Sequence, residues 1–151
     1  MQVAGIAGVP SDAKALAINL TGTNTATASC ASVSPSGTTA TSSLNWTGQG
    51  KTVCNKVIAT LSSPGSLEIT KVFGSADVIM DVSEYFTGSS SLTGRTSFEG
   101  MTPVRILDTR PGSGNADEGM NLLQGKRNYS DLWIERSANK CKGCSIKCHR
   151  N

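Results

Sequence analysis

Between Ala13 and Thr21 the chain reads AKALAINLT. Leu16, Ile18 and Leu20 fall on one side of the alternation, and Ala15, Ala17, Asn19 and Thr21 on the other. A strict period of two puts one face in a core and one against solvent, the pattern of a half-buried β-strand. The segment TATASCASVSPSG predicts a second, weaker strand, ended by Pro35-Ser36-Gly37. SSLNWTGQGK contains a turn at Gly48-Gln49-Gly50, after which TVCNKVIATL resumes alternation through Val53, Asn55, Val57, Ala59 and Leu61. Ser62-Ser63-Pro64-Gly65 is a strong turn signal. SLEITKVF follows with Leu67, Ile69, Val72 and Phe73, and ADVIMDVSEYF sets Val78, Met80 and Val82 against Ile79, Asp81 and Ser83. Short strands at this spacing, with turn residues between them, predict an all-β, sandwich-like module of antiparallel strands. No segment before residue 115 carries a helical period.

The remainder divides by composition. Residues 1–86 form the β-rich body. TGSSSLTGRTS, residues 87–97, reads as a Ser/Gly linker of about 18 Å mean span at about 5–6 Å × √n. TPVRILDTRPGSG alternates Val104, Ile106 and Asp108 with Arg105, Leu107 and Thr109 and enters a Pro-Gly turn. This unit, within 98–114, predicts one more strand. It has the reach to dock on the body of its own chain, or on a neighbour's as a swapped strand. Residues 115–151 are charged and irregular, with a weak helical signal near 129–137, and are expected to be poorly ordered.

Charge sharpens this division. Residues 1–114 carry seven basic and seven acidic groups, while 115–151 carry seven and four, so the net charge of +3 belongs entirely to the tail. A neutral body without a basic stripe argues against nucleic-acid binding. No apolar run approaches the roughly 20 residues needed to span a bilayer, and MQVAGIAGVP is not a signal peptide. The start therefore reads as the interior of a domain.

GVPSDAKALAINLT, SSLNW, ADVIMDVSEYF and TPVRILDTRPGSG together resemble a β-rich repeat module of secreted and cell-surface actinobacterial proteins, marked by a Leu-Asp-Thr-Arg strand. The resemblance covers about residues 3–114. It departs at Glu84, where the closing Asp-Val-x-Gly-Tyr-Phe strand of the family carries Gly, whereas Trp46 stands where an aromatic commonly ends the Asn-Leu-Asn motif. The order is permuted, so the chain is expected to start inside one module and to end with the first strand of the next. After Gly114 the family pattern stops. The resemblance implies an extracellular or cell-surface location within a longer exported parent. It also implies a non-catalytic structural, spacer or adhesion role. The alternative is a carbohydrate-binding accessory module of a secreted hydrolase. Cell-wall polysaccharide or other surface proteins are the expected partners, and no cofactor is implied.

The chemistry-bearing residues are few. His149 is the only histidine and lies in the tail, so the body has no Ser-His-Asp or Cys-His arrangement. Asp77 and Asp81 share one strand face about 13 Å apart, too far for paired-carboxylate hydrolysis, and read as solvated outer charges. Trp46 and Tyr85 are candidate sugar-stacking platforms, or else packing aromatics. Asp108 and Arg110 are candidate ligand residues, or else a local ion pair shaping the turn. Cys30 and Cys54 are a candidate disulfide, or two small buried thiols. Cys141, Cys144, Cys148 and His149 supply the ligand types of a zinc site. They are packed more closely than usual structural sites, which leaves incidental tail cysteines as the other reading.

Overall fold

A computed structural model describes residues 1–35, 41–88, 96–115 and 118–119. Among the described residues, seven strands form two antiparallel sheets: β1 (Ala13–Thr23), β2 (Ser29–Ser34), β3 (Leu44–Trp46), β4 (Val53–Thr60), β5 (Glu68–Lys71), β6 (Asp77–Gly88) and β7 (Thr96–Asp108). One sheet has the order β4-β1-β6-β7 and the other β3-β2-β5. The protein is all-β and sandwich-like; the described residues include no helix long and apolar enough to cross a membrane.

The alternation sets the layers. Leu16, Ile18 and Leu20 of β1 and Met80 and Val82 of β6 are fully buried, and Val78 is 1% exposed. Cross-strand pairing brings Leu20 against Met80 and Ile18 against Val82, so one face of the central pair is a continuous apolar surface. The opposing sheet adds Ala31 and Val33 from β2, Leu44 and Trp46 from β3, and Ile69 from β5. One end is closed by the N-terminal segment. Val3 and Ala4 donate their amides to the Gly65 carbonyl, which seats Val3 in the core. At Gly65, φ is +108° and a Cβ would stand 2.3 Å from the Ala4 Cβ, so glycine is required.

β7 lies antiparallel beside β6 of its own chain, from Ile79↔Asp108 to Gly88↔Thr96. Its Leu107, opposite Met80, enters the core. Two corrections to the reading by composition follow. The segment 87–97 is not linker throughout, because Thr87 and Gly88 belong to β6 and Thr96 and Ser97 to β7. Backbone pairing, which small polar side chains do not obstruct, extends the ladder into it. The strand after the Ser62–Gly65 turn also ends earlier than its apolar pattern suggests. β5 stops at Lys71, which is 4% exposed, whereas Val72 and Phe73 are exposed. Lys71 faces inward with Ile69, and its ammonium donates to the Phe73 and Gly74 carbonyls. Burial holds its pKa below the ordinary lysine value. The residues 120–151, with the helical signal near 129–137, lie outside the described residues.

Candidate functional site

The densest polar constellation sits where β7 runs into its Pro-Gly turn beside the start of β6. Asp81 and Arg105 are cross-strand partners. The guanidinium of Arg105 grips Asp81 with both arms, Nε to Oδ1 at 2.7 Å and Nη2 to Oδ2 at 3.1 Å. Its remaining Nη1 reaches Asp108 Oδ2 at 3.1 Å. Arg110 approaches the same carboxylate from the turn, donating Nε to Oδ1 at 2.9 Å and Nη2 to Oδ2 at 2.7 Å. The Arg110 amide adds a bond to Oδ1 at 3.2 Å. Asp108 is thus 1% exposed and clamped by two cations. The Arg110 hydrogen bonds hold its carboxyl down to about 2 against the opposing effect of burial, helped by the charge of Arg105.

A second group locks the strand end. The Thr109 and Val78 backbones join through Thr109 N and Val78 O at 3.0 Å, and Val78 N donates to Thr109 Oγ1 at 2.8 Å. Asp77, read from sequence as a solvated charge, is instead 8% exposed and accepts from Asn24 Nδ2 at 2.6 Å. It stands opposite Thr23 at the end of β1, and the Thr109 hydroxyl donates to its Oδ1 at 3.5 Å. Beyond the turn, the Glu118 carboxylate accepts from the amides of Gly112 and Gly114, at 2.6 and 3.0 Å.

The structure therefore brings Asp108 and Arg110 into direct contact and adds Arg105, Asp81, Asp77, Asn24, Thr109 and Glu118 around them. Arg105 and Thr109 flank Asp108 in the RILDTR run, which gave a local signal. Asp81, Asn24 and Asp77 arrive only through strand pairing. Chemically, the cluster consists of carboxylates already satisfied by guanidinium, side-chain amide, hydroxyl and backbone donors of the same chain. It organises a strand-to-turn junction.

The aromatic candidates separate. Trp46 is 3% exposed and its Nε1 donates to the Thr27 carbonyl at 2.7 Å, so it is a core residue and not a sugar platform. Burial follows from its position on β3, facing the bare Gly22 of β1, where an added Cβ would lie 3.6 Å from the indole and 3.1 Å from Leu44. Tyr85 is half-buried and packs against the core from β6, opposite Leu16. Among the described residues, the exposed rings are Phe98, tilted against Phe86 at 5.2 Å, and Phe73.

Cys30 and Cys54 are free thiols, which corrects the disulfide expectation. The strands that carry them are not neighbours. β2 pairs with β3 and β5, whereas β4 pairs with β1, and Cys54 is on the exposed side of its strand. Cys141, Cys144, Cys148 and His149 lie outside the described residues. Among the described residues no group of three or more His, Cys, Asp or Glu is placed to hold a metal ion.

These features define a two-sheet antiparallel β-protein with an internally paired charged cluster at one strand end. Comparison with known proteins finds no matching family model, no similar curated protein and no similar solved structure.

Proposed function

We propose that the chain is a non-catalytic structural, spacer or adhesion module of a secreted or cell-surface bacterial protein. The Asp108 cluster carries this reading. A carboxyl that does general acid or base work is tuned toward the working pH. Asp108 is driven the opposite way, and its oxygens are occupied by Arg105 and Arg110 of the same chain. Its role is to pin β7 and the turn after it to β6. Among the described residues, no buried side-chain nitrogen or oxygen lacks a hydrogen-bond partner, which befits a passive scaffold more than a reaction site. The RILDTR and DVSEYF motifs, by their resemblance to actinobacterial surface modules, support the location outside the cell.

The alternative, a carbohydrate-binding accessory module, now draws on Phe98, whose ring is 60% exposed on the outer surface of the four-stranded sheet. Co-sedimentation of the full chain with insoluble cell-wall polysaccharide separates the two. A spacer stays in the supernatant. Retention that Phe98→Ala abolishes establishes the alternative and overturns the spacer reading.

A further inference from the structure

The edges of the two sheets are not protected equally. β3 and β5 are short, with three and four residues, and short edge strands offer little to pair with. β7 is long but interrupted. Val82 pairs with Val104 and Glu84 with Gly100, so Met101, Thr102 and Pro103 face a single residue of β6. A bulge and a proline on an edge strand both discourage a further strand. β4 has neither device. It pairs with β1 through eight consecutive residues without a register shift, contains no proline, and carries one charge, Lys56. That charge is held by Glu84 at 2.7 Å across β1.

The hydrogen-bonding phase of β4 is determined by its end. Leu61 donates its amide to the Lys14 carbonyl, which makes Leu61 and Lys14 a hydrogen-bonded pair. In the same register Ala59↔Leu16, Val57↔Ile18 and Asn55↔Leu20 are the hydrogen-bonded pairs. The amides and carbonyls of Cys54, Lys56, Ile58 and Thr60 therefore point away from β1, to the sheet edge that no other described strand pairs with. All four residues are exposed, and Ile58 is 67% exposed.

We propose that β4 is the self-association edge of this protein, pairing antiparallel with β4 of a second copy about a two-fold axis. The strand's own sequence selects the register. Centring the axis on Lys56 sets two lysines face to face, which is unfavourable. Centring it on Val57 places Lys56 opposite Ile58 of the second copy and Cys54 opposite Thr60. Every outward backbone group between Cys54 and Thr60 is then used, for about eight hydrogen bonds. The aliphatic stem of each Lys56 covers the exposed Ile58 across from it, while its ammonium stays with Glu84. Two four-stranded sheets become one continuous sheet of eight strands.

Sedimentation equilibrium of the full chain over a concentration series tests this. The expected result is a monomer–dimer equilibrium that Ile58→Pro weakens by about tenfold or more. The Ile58 amide points outward, so this proline removes no β4–β1 bond and blocks only the edge. Ile58→Lys, which faces the Lys56 of the second copy, weakens association in the same direction and guards against a folding defect in the proline variant. Phe98→Ser, on β7 at the opposite edge of the sheet, leaves the equilibrium unchanged. A wild-type chain that stays monomeric throughout overturns the proposal. So does association that survives both Ile58 variants or that is lost in Phe98→Ser.

Discussion

Asp108→Asn tests the central electrostatic argument most directly. The substitution keeps side-chain size and an amide oxygen able to accept the Arg110 amide; it removes the negative charge and turns the other oxygen, which accepts from both guanidinium groups, into an NH2 donor. A carboxyl held near 2 in the folded chain, against an ordinary 3.8, corresponds by linkage to about 2.5 kcal/mol at neutral pH. Both guanidinium partners are about 40% exposed, and solvent screening reduces that ceiling to about 1–2 kcal/mol. Because the folded pKa is depressed, this stability is fully present above the unfolded value. It declines as the pH falls through 3.8 and is lost below about 2. Urea denaturation of wild type and variant, followed from neutral pH to about pH 2.5, should show a gap of about 1–2 kcal/mol at pH 7 that narrows steadily with acidification. The same loss should lower the melting temperature at pH 7 by about 4–10 °C. A stability gap of equal size at pH 7 and pH 2.5 would refute the reasoning, since it would mean that the charge of Asp108 contributes nothing to the junction.

Trp46→Ala should cost about 3–5 kcal/mol by emptying a core position, read by chemical denaturation. A stable variant would return Trp46 to the surface. Gly65→Ala combines a left-handed backbone with a Cβ 2.3 Å from that of Ala4, and should cost about 2–4 kcal/mol; a neutral melting temperature would show that the N-terminal segment does not pack on this turn. Deleting 98–114 removes most of β7, exposes the Met80 face that Leu107 covers, and should lower thermal stability; an unchanged melting temperature would count against the pairing with β6. Peptide mapping after alkylation under denaturing, non-reducing conditions should find Cys30 and Cys54 both modified, with Cys54 also modified in the native chain. A linked peptide pair would contradict the free thiols.

Much of the β architecture was legible because a period of two is a local property. Leu16, Ile18 and Leu20, and Val78, Met80 and Val82, could each be assigned to the core face from their neighbours alone, and they are among the most buried of the described residues. Lys71, Val72 and Phe73 were misleading, since the inward position went to a lysine whose ammonium two backbone carbonyls satisfy. Asp77 misled for a related reason. Its burial depends on Asn24, which is 53 residues away and carries no local mark.

The amino-acid pattern by itself determined most of the strands, the turns between them and the inward face of β1 and β6, because each depends on residues within a few positions of one another. It also offered a local ion pair between Asp108 and Arg110, two positions apart at a turn, as one of two readings, and the structure shows that contact. Sheet membership was decided only in three dimensions. It set Cys30 and Cys54 on strands that do not pair, drew Trp46 into the core, and laid Arg105 across Asp81. It also left β4 as an unbroken edge while a bulge interrupts β7. Those outcomes depend on which distant strands share hydrogen bonds, and a periodicity of side chains carries no information about the identity of the neighbour.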